Sequence, residues 1–268
     1  MTQQIDEAFL ERLGWAPLPS ADPGYLRDHL TEVDEEEIII DLRDAAEPAS
    51  TGASRTYLHH WPGILSAPTW ELALKRSVDI AAASFFIILF LPLMLLTVIA
   101  VKVSSPGPVL YVQNRVGKDG RVFRFAKFRS MRNGAHEDRH KVDHLNEVDG
   151  PVFKIKDDPR ITPVGAILRK FSIDELPQFF HVLTGKMSLV GPRPPLPDEV
   201  AEYDDWELQR LLTKPGITCI WQVSGRSEVD FETWVEMDIE YIATWTPWVD
   251  MRILAKTIPA VLSGRGAY

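Results

Sequence analysis

One cysteine in 268 residues, Cys219, rules out an intrachain disulfide and suits a reducing compartment. No Cys/His set has zinc spacing, so Cys219 is expected to serve packing. Neither G-x-G-x-x-G nor G-x-x-x-x-G-K-[ST] occurs; Gly185-Lys186-Met187-Ser188 only imitates the end of a P-loop. The D-x-D of many metal-dependent glycosyltransferases is missing as well. Long apolar runs are scarce. The first lies beyond residue 79 with no A-x-A after it, which argues against a cleaved secretory signal. Positive excess is absent too: the net charge is −9. Thirteen acidic and four basic side chains fall within residues 1–70, leaving the other 198 residues with twenty-five of each. A neutral main domain without a recognition module argues against nucleic acid as a partner.

What is present divides the chain in two. Residues 1–70 are punctuated by Pro17, Pro19, Pro23, Pro48, Pro62 and Pro68, carry the acidic run Asp34–Glu37 beside a short apolar burst, Ile38–Ile40, and show no sustained period. They are expected to form a disordered acidic cytoplasmic extension. Residues 71–268 form the expected catalytic domain, including a membrane helix over 78–103. Ile80–Val101 is 22 residues without a charge, roughly 33 Å of helix and just enough to cross a bilayer core. Lys75 and Arg76 precede it. Lys102 and the row Arg115, Lys118, Arg121, Arg124, Lys127, Arg129 and Arg132 follow it, against the single acid Asp119. Basic flanks on both sides ask for both ends on the cytoplasmic face. Pro92, mid-run, removes a backbone donor and favours a break. A Pro-kinked re-entrant helix satisfies all three observations; a straight span is the alternative.

Beyond Val103 the pattern is mixed, and the expected fold is α+β, mainly helical. Val109–Gln113 and Val122–Phe128 read as strands around the turn Gly117–Gly120, and residues 136–150 as polar helix and loop. Helices are expected over Ile173–Leu183, Pro197–Leu212 and Phe231–Ala243. A stripe of Tyr241, Trp245, Trp248, Ile253, Leu254 and Ile258 suits either a core or a membrane interface.

Two short segments can carry chemistry. In Ser172-Ile173-Asp174-Glu175-Leu176-Pro177 the S-x-x-E spacing of Ser172 and Glu175 fits a capping box. Adjacent carboxylates at a helix start would also sit in a field that favours their ionised forms and attracts phosphate. One such carboxylate can attack phosphorus while its neighbour holds a divalent cation. In Gly191-Pro192-Arg193-Pro194, Pro192 and Pro194 stiffen the backbone around Arg193, whose planar fork suits a phosphate. A Pro-rich connector with a solvated arginine is the alternative. The basic row either meets anionic lipid headgroups or, through Arg115 and Lys127, lines a diphosphate site.

From about Leu72 to the C-terminus these residues resemble the monotopic phosphoglycosyl transferases, or bacterial sugar transferases. The likeness rests on Lys75-Arg76-Ser77-Val78-Asp79, Ser105-Pro106-Gly107-Pro108-Val109, Gln113-x-Arg115-x-Gly117 and Lys127-Phe128-Arg129-Ser130-Met131. It continues through Asp158-Pro159-Arg160-Ile161-Thr162, Asp174-Glu175-Leu176-Pro177-Gln178, Ser188–Pro194, Lys214-Pro215-Gly216-Ile217-Thr218, Trp221-Gln222-x-x-Gly225-Arg226 and the ending Ser263–Tyr268. The resemblance implies transfer of a hexose 1-phosphate from a UDP-sugar donor to a polyprenyl (undecaprenyl) phosphate acceptor. That would be the first membrane step of exopolysaccharide, capsule or O-antigen assembly. It implies Asp174 as nucleophile, Glu175 as the Mg2+ ligand and Arg193 as a nucleotide-sugar contact, on the cytoplasmic face of a bacterial inner membrane in contact with its lipids. The ending suggests glucose or galactose. Leu91 stands before Pro92 where many relatives have serine, which leaves the depth of the re-entrant helix open. A silent membrane scaffold and an ordinary glycosyltransferase are the rivals; homo-oligomerisation is left open.

Overall fold

In a computed structural model the chain is described over residues 63–147, 151–153, 155–224 and 230–263. The expected disordered extension therefore falls almost wholly outside the described residues, as do Gly225-Arg226 and the ending Gly264–Tyr268.

The longest element is helix α1, Thr69–Ser104, with Pro92 inside it. It begins nine residues before the expected start because Pro68 provides an extended N-cap and Lys75, Arg76 and Asp79 bond to the domain. Among the described residues it is the one helix long and apolar enough to cross a membrane. Its faces differ sharply. Asp79, Ala83, Met94, Thr97 and Val101 are buried, and Phe86 and Phe90 are half-buried between them. Those seven positions are spaced by three or four residues, which is one face of a helix. The opposite face exposes Phe85, Ile88, Leu89, Leu91, Leu95, Leu96 and Ile99.

Both ends of α1 are gripped by the same domain. Arg76 donates to the carbonyls of Val182 and Leu183 at 2.6 and 2.8 Å. Asp79 accepts from the Leu189 amide at 2.9 Å and the Ser188 hydroxyl at 3.1 Å. Midway, the Phe86 ring stacks on Phe179 with centroids 5.4 Å apart. Past the C-terminal end, Arg129 donates to the carbonyls of Ser105 and Pro106.

Strands β1 (Leu110–Val116) and β2 (Val122–Phe128) form an antiparallel hairpin in which Arg115 pairs with Phe123 and Tyr111 with Lys127. The first strand runs three residues past its expected end. Residues 136–147 contain two single 3-10 turns, Arg139–Lys141 and Asp143–Leu145. Helix α2 (Pro163–Lys170) follows, capped by Thr162, whose hydroxyl accepts from the Gly165 amide at 2.9 Å.

The helix expected over Ile173–Leu183 divides into a 3-10 turn, Ile173–Glu175, and helix α3, Gln178–Leu183. Pro177, as N-cap of α3, lacks the amide a continuous helix would need. Strands β3 (Ser188–Val190) and β4 (Gly216–Thr218) form a short parallel pair. Between them the helix expected over Pro197–Leu212 breaks into α4 (Pro197–Ala201), α5 (Asp205–Leu208) and a 3-10 turn, Gln209–Leu212. Asp204 is the cause: its carboxylate caps the amides of Trp206 and Glu207, and so begins a new helix. Helices α6 (Ile220–Ser224), α7 (Phe231–Thr244) and α8 (Pro247–Ser263) complete the chain.

The core lies between the β3–β4 pair and α7, around Met187, Leu189, Val190, Leu208, Val235, Tyr241 and Trp245. Cys219 is buried there, as a packing role requires. Two buried ion pairs cross it. Arg210 pairs with Asp238 at 2.7 Å and also donates to the Tyr203 hydroxyl. Lys75 of α1 pairs with Asp250 of α8 at 2.6 Å, and Asp250 accepts further from Tyr241 and Trp245. Such pairs are costly to desolvate, and Lys75 is compensated by further bonds to the Val190 carbonyl and the Tyr241 hydroxyl. The tryptophan-rich stripe splits: Tyr241, Trp245 and Ile253 are core, whereas Trp248 and Ile258 are more than 60% exposed on α8.

Candidate functional site

The site begins where β2 ends. Ser130 accepts the Thr162 amide at its carbonyl, and Met131 bridges Ile161, so the chain entering α2 is sewn to the strand. Arg160 holds that entry, with its guanidinium on both carboxylate oxygens of Asp158 and on the Ala135 carbonyl. Gly165 lies so close to the Ser130 carbonyl that a Cβ there has no space. Helix α2 is thereby fixed, and its penultimate residue Arg169 points back to donate from Nε to the Ser130 hydroxyl at 2.9 Å.

Ser172 then takes a left-handed conformation, φ 55° and ψ 25°, uncommon for a residue with a Cβ and a frequent companion of functional sites. The capping box is not formed: the Ser172 side chain accepts no cap bond, and the Glu175 amide bonds the Ser172 carbonyl instead. What the turn does is drop Asp174 inward, to 6% exposure, while Glu175 stays half-buried.

The Gly191–Pro195 loop meets this turn from the other side. It is pinned by the bonds Gly191 amide to Thr218 carbonyl, Gly216 amide to Pro192 carbonyl and Val116 amide to Pro195 carbonyl. Gly191 and Gly216 face each other with no room for a side chain on either. Arg193 emerges from this frame to donate to Glu175 at 3.1 Å. It is not a solvated connector. Pro192 and Pro194 are buried and act through their carbonyls, Pro194 accepting from Arg115 Nη1 at 2.9 Å.

Three cations from different elements, Lys127, Arg169 and Arg193, thus surround Asp174, with Arg115 behind Arg193 and nearer to Glu199. Arg115 of β1 sits near Arg193, and burial lowers its guanidinium to about 10. Lys127 of β2 is lowered to about 8 by burial first, then by Arg169, with Asp174 acting in the opposite sense. Arg193 is raised by Glu175 and Asp174 against the effect of burial. The Asp174 carboxyl is pushed up by burial and by Glu175, while Lys127, Arg169 and Arg193 pull it down. The expected helix-end field is therefore not what governs Asp174: it stands in a 3-10 turn, and burial against nearby cations sets its ionisation. Filling the site with phosphate oxygens would satisfy the cation excess.

Of the expected site residues, Asp174, Glu175, Lys127 and Arg193 come together here, Arg115, Pro192 and Pro194 frame the Arg193 loop, and Pro92 lies elsewhere on α1. One residue joins them that the sequence reading missed. Arg169 lies five residues before Asp174, and only the left-handed turn at Ser172 brings its guanidinium back to the carboxylate. Among the described residues no three His, Cys, Asp or Glu side chains converge on one point. The Asp174–Glu175 pair nonetheless suits magnesium, which is commonly held by one or two carboxylates together with substrate phosphates and water.

The fold and site define an α+β domain with an apolar helix along one flank and a cation-ringed carboxylate pair inside. Residues 70–264 match the bacterial sugar transferase family, and the chain belongs to it. It is 45% identical over 198 residues to the galactosyl transferase CpsE of Streptococcus agalactiae serotype III, covering 74% of this chain and 44% of that protein. It is 43% identical over 198 residues to the exopolysaccharide production protein ExoY of Rhizobium meliloti, covering 72% and 88% respectively. A third relative, the undecaprenyl-phosphate galactose phosphotransferase of Salmonella typhimurium, is 45% identical over 199 residues, 73% of this chain and 42% of that protein. The chain thus spans less than half of the first and third relatives and most of the second.

Proposed function

We infer that this protein transfers a hexose 1-phosphate from a UDP-sugar to undecaprenyl phosphate by two displacements at one phosphorus. The observation that carries this reading is the placement of Asp174, buried among Lys127, Arg169 and Arg193 beside Glu175. In the first step an Asp174 carboxylate oxygen attacks the phosphorus that bears the sugar, and the bond to the uridylate phosphate breaks. UMP leaves with that bonding pair, and the sugar phosphate is held on Asp174 as an acyl phosphate. In the second step a phosphate oxygen of the acceptor attacks the same phosphorus, freeing Asp174 and giving polyprenyl diphospho-sugar. Arg193 and Arg115 bind the diphosphate, while Lys127 and Arg169 stand beside the charge that develops near Asp174. Magnesium, held by Glu175 with the substrate phosphates, would add Lewis-acid charge neutralisation.

The seat of this chemistry is the cytoplasmic face of a bacterial inner membrane, with α1 re-entrant. Contacts to one domain at Arg76, Phe86 and the Ser105 carbonyl support this. Sending the two ends of α1 to opposite sides would drag that domain into hydrocarbon. Pro92 leaves the Ile88 carbonyl without its helical donor, which favours a break within reach of headgroups. Purified protein offered a panel of nucleotide sugars with undecaprenyl phosphate and magnesium tests the reaction. UMP release from one UDP-hexose is expected. Release of UDP would mark an ordinary glycosyltransferase, and no turnover with any donor would mark a scaffold.

A further inference from the structure

Helix α2 works on two sides at once. Its inner face, Val164 and Leu168, packs with Met94 and Val101 of α1 and Phe128 of β2. Its outer face leaves Ala166 and Ile167 exposed, and Phe171 follows just past its end; Ile167 is 58% and Phe171 41% exposed. Lys170 lies over the Phe171 ring at 5.6 Å. Two residues from each of these apolar side chains, Arg169 turns the other way, to Ser130 and toward Asp174. An exposed apolar surface, flanked by the membrane helix, therefore lies on the same short element that delivers a cation to the carboxylate.

We propose that Ile167 and Phe171 form the dock for the isoprenoid chain of the acceptor, with Arg169 receiving its phosphate beside Asp174. This rests on the assignment of Asp174 as nucleophile. An acceptor that is hydrocarbon at one end and dianionic at the other has to pass from apolar surface to cations. Helix α2 and the residue that ends it supply both within Ile167–Phe171, on an element packed against Met94 and Val101 of α1. Free phosphate would use the cation alone, whereas a lipid phosphate uses both parts. Burying isoprene methyl and methylene groups against Ile167 and Phe171 supplies affinity in proportion to the area covered.

The test compares acceptors of different length on detergent-solubilised full-length protein, so that membrane seating does not enter. In the double variant Ile167→Ser/Phe171→Ser, covalent labelling from UDP-sugar alone should match wild type. The KM for undecaprenyl phosphate should rise at least tenfold, while the KM for a water-soluble two-isoprene phosphate changes less than twofold. Ile167→Leu/Phe171→Leu should restore the long-chain value. Equal effects on the two acceptors, or none, would overturn the dock. Direct binding of the two phosphates makes the same comparison without turnover. It therefore decides the dock even if labelling fails in wild type, a failure that would instead remove the covalent mechanism. Should the double variant not fold, Ile167→Ser alone carries the comparison.

Discussion

Lys127 gives the sharpest pH signature in the site. Burial, with Arg169, Arg193 and Arg115 nearby, holds its ammonium at about 8 rather than the usual 10.5. The cation is therefore present below pH 8 and lost above it. If the charge that develops beside Asp174 requires that cation, kcat/KM for UMP release should fall through an alkaline limb centred near pH 8. The slope should be one proton, so by pH 9.5 about 3% of the molecules keep the charge and the rate is down about thirtyfold. Unfolding predicts a different trend. A lysine whose folded pKa is depressed binds fewer protons folded than unfolded between about 8 and 10.5, so its contribution to stability rises with pH across that window. Loss of activity should thus come without loss of fold, as circular dichroism on the same samples would show. Lys127→Met should be slow at every pH and lack the limb, and Lys127→Arg should shift the limb upward. A wild-type rate flat to pH 9.5, or an unchanged limb in Lys127→Met, would refute the role of this cation.

Two further outcomes concern the grip on α1. Asp79→Ala leaves the Leu189 amide and the Ser188 hydroxyl without their acceptor, a cost of about 2–5 kcal/mol; thermal unfolding in micelles should show it, and Asp79→Asn should be milder because its carbonyl can still accept. Cysteines placed at Ser66 and Asp119, in a Cys219→Ala background, should both react with an impermeant reagent added from the cytoplasmic side, and labelling from opposite sides would defeat the re-entrant arrangement.

Much of this was legible along the chain because the signals were local. A 22-residue uncharged run, the β1–β2 hairpin and the helix over Phe231–Thr244 each follow from period and flanks. Short elements escaped: β3 and β4 have three residues each, too few to show a period, and β3 is buried throughout. The continuity expected over Ile173–Leu183 and Pro197–Leu212 gave way to Pro177 and Asp204, single residues whose local chemistry outranks a periodic pattern. In the site, Asp174, Glu175 and Arg193 were readable as residue types suited to phosphate chemistry. Their convergence was not, since the Glu175–Arg193 contact spans 18 positions and needs the Gly191–Gly216 approach. Arg169 stayed hidden because a backbone angle at Ser172, not spacing, aims it.

In the proposed mechanism Asp174 carries the sugar phosphate. Protein incubated with magnesium and UDP-hexose labelled in the sugar-bearing phosphate, without acceptor, should take up label and release UMP. Adding undecaprenyl phosphate should then discharge that label into lipid. Peptide mapping should place the label on Asp174, and folded Asp174→Asn should take up none. An unlabelled wild type that still transfers sugar phosphate, or an Asp174→Asn protein that labels normally, would contradict the account.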